Sequence, residues 1–194
     1  MNSIIEAVVL TGGASRRMGT DKALIPVDGV PMARRIVDAF QAANIKVTVL
    51  GRQAIDGAEF QLDRDEFWGP LAAIARFTPT ATYVFVASCD LPCFTNDVVM
   101  LLSSKIGSAD SAIPVMGGRH QPLCALYTAS AFEAASKISE TGERKIMAWI
   151  EHLTKVEVHE GEFRENGIDP IAVLGVNTDD ELKRVISPKK SESN

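Results

Sequence analysis

A short, β-branched apolar run, Ile4–Leu10, breaks off at Gly12-Gly13 and gives way to a loop dense in cations before apolar residues resume at Ala23-Leu24. This junction constrains the fold more than any other feature of the chain. A mostly apolar run of that length reads as a strand buried on both faces, the kind found inside a parallel sheet. In open α/β sheets, ligands gather beyond the carboxyl ends of such strands. The loop Thr11–Lys22 lies at such an end. Gly12 and Gly13 let backbone N–H groups approach a ligand closely. Arg16, Arg17 and Lys22 supply charge that matches polyphosphate.

The rest of the chain alternates in the same manner. Pro31–Ala43 carries Met32, Ile36, Val37 and Phe40 at helical spacing, with Pro31 suited to a first helical turn. Val47–Leu50 and Thr82–Ser88 read as further buried strands, Gly69–Phe77 and Asp97–Ile106 as helices. Beyond residue 110 the spacing predicts strands at Ala112–Met116, Leu123–Tyr127, Val156–His159 and Ile171–Val176. Helices are expected at Ala129–Ile138, Arg144–His152 and Asp179–Ile186, the last with Thr178 and Glu181 at capping-box spacing. Short strands alternating with helices predict an α/β fold. The expected form is a single-domain, three-layer αβα arrangement with a mostly parallel sheet and a Rossmann-like nucleotide-binding N-terminal half. No linker divides the chain, so residues 1–186 are expected to form one domain, followed by a polar, disordered tail over 187–194.

Composition narrows the function. A net charge of −5 does not suit a nucleic-acid-binding face. Three cysteines, Cys89, Cys93 and Cys124, make no disulfide framework and no zinc spacing, and they fit a reducing, cytoplasmic setting. No apolar stretch approaches the roughly 20 residues of a membrane span, and Glu6 interrupts the N-terminal apolar run, so no signal peptide and no membrane are expected.

Three named motifs fail at the opening loop. A P-loop needs four residues between its glycines and then Lys-Ser/Thr, whereas five separate Gly13 from Gly19 and Thr20-Asp21 precede Lys22. "GGASRRMG" does not fit the dinucleotide pattern Gly-x-Gly-x-x-Gly. Arg17 occupies the last glycine position of a nucleophile elbow, which makes Ser15 a poor nucleophile. What "LTGGASRRMGTDK", Leu10 to Lys22, does resemble is the signature "LAGGxSxRMGxDK" of the molybdenum cofactor guanylyltransferase family, with Thr11 in place of the usual Ala.

The resemblance extends through nearly the whole chain. It implies that Leu10, Thr11, Gly12, Gly13 and Lys22 bind nucleotide. "LDRDEFWGPLAAI", Leu62–Ile74, is similar to the family's guanine-nucleotide segment, with Ala73 replacing its last glycine. Asp63 matches the family's aspartate by its distance from Gly69, and Asp65 is the competing assignment. "FVASCDLP", Phe85–Pro92, resembles the strand-end aspartate motif, which makes Asp90 both a nucleotide and a Mg²⁺ ligand. "GVNTDDEL" resembles the family's "NVNTPEEL", so Asn177 joins Asp90 at the metal, while Gly175 replaces the first Asn. Leu50 stands where the family often has a nucleotide-contacting Asn at the end of the second strand, and a Leu side chain offers no hydrogen bond there. "GGRHQPLCALY" and "GERKIM" resemble acceptor-side segments and nominate His120, Gln121, Arg144 and Lys145 as acceptor-binding residues.

The implied reaction is attack of a molybdopterin phosphate oxygen, with or without bound molybdenum, on the α-phosphorus of GTP, with Mg²⁺ as cofactor and pyrophosphate as leaving group. Arg17, Lys22 and Asp90 would be the catalytic residues, acting by positioning and charge neutralisation rather than as nucleophiles. Proteins of cofactor biosynthesis or molybdoenzyme maturation would be the further partners. Two alternatives remain open at this level. One is a cytidylyl- or other nucleotidyltransferase of the same fold acting on molybdopterin, a sugar phosphate or phospholactate. The other is a non-catalytic nucleotide-binding regulatory module.

Overall fold

The computed structural model describes residues 4–12, 22–63 and 69–186. The elements in chain order are β1 (Ile5–Leu10), β2 (Pro26–Val27), β3 (Val30–Pro31), α1 (Met32–Ala42), β4 (Lys46–Gly51), β5 (Glu59–Leu62), α2 (Gly69–Ala75) and β6 (Tyr83–Ser88). They continue with α3 (Asn96–Lys105), β7 (Ser111–Met116), β8 (Arg119–His120), β9 (Cys124–Thr128), α4 (Ala129–Glu140), α5 (Ile146–Glu151), β10 (Lys155–His159), α6 (Glu160–Glu165) and α7 (Asp179–Ile186).

The main sheet runs β10-β7-β9-β6-β1-β4-β5, with β8 paired to β7. β1 pairs in parallel with both β4 and β6, so it lies where the chain reverses its direction of travel across the sheet. Only β8 and β9 run against the others, because β7 turns back on itself at Gly117-Gly118. The central strands separate two cores by alternation. Ala7 and Val9 of β1 and Phe85 and Ala87 of β6 meet α1, α3, α6 and the segment around Val173. Val8, Leu10, Val84 and Val86 meet α2, α4 and α5 on the opposite face. This is the expected three-layer α/β fold. In the second core Trp149 stacks on Tyr127 at 4.5 Å, and each aromatic finds a backbone acceptor: Trp149 Nε1 donates to Ala131 (2.8 Å) and the Tyr127 hydroxyl to Pro122 (2.8 Å).

Four local readings change. Ile171–Val176 is no strand. Asp169 accepts from the Ile171 N–H (3.0 Å) and Pro170 opens a 3-10 turn, Pro170–Val173, because proline cannot donate to a ladder but suits a first helical position. Arg144–His152 shortens to α5, with Glu143 accepting the N–H groups of Arg144 (2.7 Å) and Lys145 (2.8 Å) ahead of it. β5, short and largely exposed, pairs with β4 at the sheet's edge. α6 begins where Glu162 accepts the His159 N–H (3.0 Å). Residues 187–194, expected as a tail, lie outside the described residues.

Candidate functional site

The carboxyl ends of β1, β4, β5 and β6 converge at the point where strand order reverses, the position at which open α/β sheets bind ligands. The Leu10 carbonyl accepts the Cys89 N–H (3.0 Å) and the Leu50 carbonyl accepts the Thr11 N–H (2.9 Å), so the loop after β1 is tied to both neighbours. Thr11 Oγ1 adds a longer contact of 3.4 Å to the same Leu50 carbonyl. A Cβ placed on Gly51 would lie 1.8 Å from Thr11 Oγ1; the strand ends in glycine because threonine occupies that space. Leu50 itself points into the core, 2% exposed, and it is Gly51 that faces the loop. The Leu50 side chain is therefore not available for the polar contact that the family resemblance places at this strand end.

Asp63 lies just beyond β5, its N–H donating to the Gly51 carbonyl (2.8 Å). Its Oδ2 comes within 3.4 Å of the place a Cβ on Gly12 would take, so the carboxylate faces the glycine loop directly. Its Oδ1 is paired with Arg76 Nη1 at 3.1 Å. The sequence did not single out Arg76. Thr11 also lines a cavity of about 340 Å³ with Ala23, Leu24, Arg34 and Ile55.

Asp90 stands just past the tip of β6. The Ser88 hydroxyl donates to its Oδ1 (2.6 Å), and its carbonyl accepts the Val176 N–H (2.9 Å). A Cβ on Gly175 would sit 3.0 Å from Asp90 Oδ1, so the missing side chain at that position is what lets the segment pass so close. Asn177 follows immediately, at the entrance to α7, where its N–H donates to Glu181 (2.6 Å) and Thr178 Oγ1 accepts the Glu181 N–H (3.1 Å). Thus Leu10–Gly12, Asp63, Asp90 and Asn177 share one edge. Cys124, one strand from Asp90, is buried, and burial together with the Asp90 carboxylate pushes its thiol far up, which leaves it no nucleophile.

The acceptor residues divide. His120 Nε2 meets Glu157 Oε1 at 2.8 Å, and His159 reaches the other Glu157 oxygen at 3.8 Å. The hydrogen bond from His120, with lesser help from neighbouring charges, holds the Glu157 carboxyl below its ordinary range. Gln121 sits in the bulge between β8 and β9, its N–H on Pro114 (2.8 Å), and the bulge's Leu123 carbonyl accepts the Ser88 N–H (2.8 Å). That bulge therefore abuts the strand that delivers Asp90. Arg144 lies by the start of α2 instead, its carbonyl 3.3 Å from where a Gly69 Cβ would be, with Lys145 next to it. Lys22 opens a short turn, Lys22–Leu24, that packs on α1; its side chain, and Gly13, Ser15, Arg16, Arg17 and Asp65 altogether, lie outside the described residues.

Comparison with known proteins agrees with this geometry. Residues 7–156 match the MobA-like NTP transferase domain. The chain belongs to that family. The match of this MobA-like NTP transferase reaches from β1 into β10 and so takes in Leu10–Gly12, Asp63 and Asp90. A molybdenum cofactor guanylyltransferase of Shewanella baltica is 32% identical over 197 residues, covering 95% of this chain and 97% of its own. Molybdopterin-guanine dinucleotide biosynthesis protein A of Archaeoglobus fulgidus superposes with a TM-score of 0.78 at 25% identity, over 93% of this chain and 96% of its own. The 2-C-methyl-D-erythritol 4-phosphate cytidylyltransferase of Thermus thermophilus shares the fold, with a TM-score of 0.69 at 14% identity over 95% of this chain and 98% of its own. Among the described residues no helix is long and apolar enough to cross a membrane.

Proposed function

We propose that this chain transfers GMP from GTP to the terminal phosphate of molybdopterin, with or without bound molybdenum, releasing pyrophosphate. The observation that carries the reading is the convergence of the glycine loop after β1, Asp63 and Asp90 on the switch-point edge of the sheet. Full-length similarity to proteins named for this activity supports the choice of substrates. The backbone of Leu10–Gly12 would receive the nucleotide, Asp63 would accept donors of the nucleoside, and Arg17 and Lys22 would bear on the triphosphate. The acceptor phosphate is already an anionic nucleophile, so these residues have only to orient it in line with the α-phosphorus and balance charge on the departing pyrophosphate. Gln121, on the bulge against β6, and His120 beyond it would form the acceptor side, with Arg144 and Lys145 approaching from the start of α2.

The donor set suits Mg²⁺. Asp90 offers a hard carboxylate oriented by Ser88, with Asn177 close by. A cation bound by one or two protein oxygens and completed by phosphates and water is the usual magnesium arrangement at nucleotides. When bound, it would supply Lewis-acid stabilisation of phosphate charge. A cytoplasmic setting fits these substrates.

The test is pyrophosphate release by the purified protein, given molybdopterin and each of GTP, CTP, ATP and UTP with Mg²⁺. Release with GTP well above the others is expected. Release with CTP instead would transfer the assignment to a cytidylyltransferase, and nucleotide binding without release would make the chain a regulatory module.

A further inference from the structure

Arg76 belongs to no motif, yet it is built into the edge where nucleotide is proposed to bind. It follows α2, and its side chain returns to pair Nη1 with Asp63 Oδ1 at 3.1 Å. Its backbone is also held: Gln61 Nε2 donates to the Arg76 carbonyl (3.3 Å). Gln61 and Asp63 are two residues apart on an extended segment, so their side chains fall on one face and both engage the same arginine. The Asp63 side chain is 19% exposed and that of Arg76 36%, so the pair is partly shielded from solvent. With Oδ1 engaged, it is Oδ2 that faces Gly12.

The arrangement has an electrostatic purpose. A carboxylate next to a bound triphosphate adds repulsion unless a cation compensates it. An ionised carboxylate only accepts hydrogen bonds, so what it can recognise is an N–H or O–H donor of the base or ribose. Arg76 cancels the charge from one side and fixes the rotation of the carboxylate, leaving the second oxygen for the donor.

We infer that Arg76 is a positioning residue for nucleotide selection, acting through Asp63. This rests on the reading of Asp63 as a nucleotide ligand, and the experiment separates the two. The dissociation constant for GTP with Mg²⁺ is measured calorimetrically for the wild type, Asp63→Asn, Arg76→Gln, Arg76→Lys and the double variant Asp63→Asn/Arg76→Gln, alongside KM and kcat for pyrophosphate release. Loss of one charge-assisted contact is expected to weaken GTP binding and raise KM by about 10-fold in Arg76→Gln, with kcat changed much less. Arg76→Lys should recover most of that loss, because a lysine still supplies the charge. The double variant should bind GTP no worse than Asp63→Asn alone, since the arginine would have nothing left to position. Additive losses, or an Arg76→Gln protein that binds GTP normally while Asp63→Asn does not, would overturn the role of Arg76. Normal binding by Asp63→Asn would overturn the nucleotide reading of Asp63 and the role of Arg76 with it.

Discussion

The pairing of Thr11 with Gly51 makes a quantitative demand. In Gly51→Ala the new Cβ would fall 1.8 Å from Thr11 Oγ1, far inside contact, and 3.1 Å from Thr11 Cβ. The backbone at Gly51 is not in the left-handed region, so alanine itself is tolerated and should gain about 0.4–1 kcal/mol by restricting the unfolded chain. Against that, forcing a methyl into filled space costs about 1–3 kcal/mol. The net expectation is a loss of about 1–2 kcal/mol. Thr11→Ala alone gives up only the 3.4 Å contact to the Leu50 carbonyl, about 0.5 kcal/mol. In the double variant the hydroxyl is gone, and the residual 3.1 Å approach to the Cβ needs a shift of a few tenths of an ångström. Gly51→Ala should then be nearly neutral, which corresponds to a coupling of about 1–2 kcal/mol between the positions. Urea unfolding of the four proteins, followed by circular dichroism, measures it. GTP affinity should follow the same order, because a displaced Thr11 moves the first amides of the glycine loop. If Gly51→Ala costs the same in the wild-type background as in the Thr11→Ala background, the two positions do not compete for space and the explanation of the glycine is wrong.

Three further outcomes are expected. Glu6, 2% exposed, accepts from the Thr80 N–H (2.6 Å), the Thr80 hydroxyl (2.8 Å) and the Ala81 N–H (3.1 Å); Glu6→Ala should cost about 3 kcal/mol in urea unfolding while leaving GTP affinity intact, because this network lies at the end of β1 remote from the glycine loop. Glu162 is held below its ordinary value of 4.5, first by Lys105 and then by the His159 N–H, so its contribution is present above about pH 4.5 and lost as pH falls through the lowered value. Lys105→Met should therefore destabilise by about 0.5 kcal/mol at pH 7, discounted for exposure, and the difference from wild type should shrink in acid; an unchanged difference at pH 3 would contradict this. Ser88→Ala removes the hydroxyl that orients Asp90 and should raise the Mg²⁺ concentration for half-maximal pyrophosphate release about 5-fold, with the rate recovered at saturation; an unshifted Mg²⁺ dependence would separate Ser88 from any metal role.

The parts of this molecule that could be read from its sequence are those governed by local pattern. β1, β4 and β6 are mostly apolar runs because both of their faces are covered, and α1 shows its buried stripe at Ile36, Val37 and Phe40. β5 escaped because it is a short edge strand left largely exposed, with no buried face to impose a pattern, and the Asp28-Gly29 turn between β2 and β3 went unused although both residues carry positive φ. Ile171–Val176 misled because apolar content outweighed the Asp169-Pro170 start signal. At the site, Asp90 was legible as an acid at a strand end and Asp63 only through the family resemblance, whereas Arg76 pairs with a partner thirteen residues away across an element boundary and has no local signature. The glycine at position 51 is explained only by the threonine that packs against it from the loop after β1.

The two aspartates at the switch-point edge are built alike in one respect and differently in another. Each is approached by a glycine: Gly12 at Asp63 Oδ2 and Gly175 at Asp90 Oδ1, where a side chain would meet the carboxylate at 3.4 and 3.0 Å. Each is oriented through its Oδ1 by a neighbour, but the neighbours differ in kind. Arg76 is a cation and compensates Asp63, which can then lie beside a nucleoside and accept its donors without adding net repulsion. At Asp90 it is the neutral Ser88 hydroxyl that donates to Oδ1 and fixes the rotation of a carboxylate proposed to hold a cation.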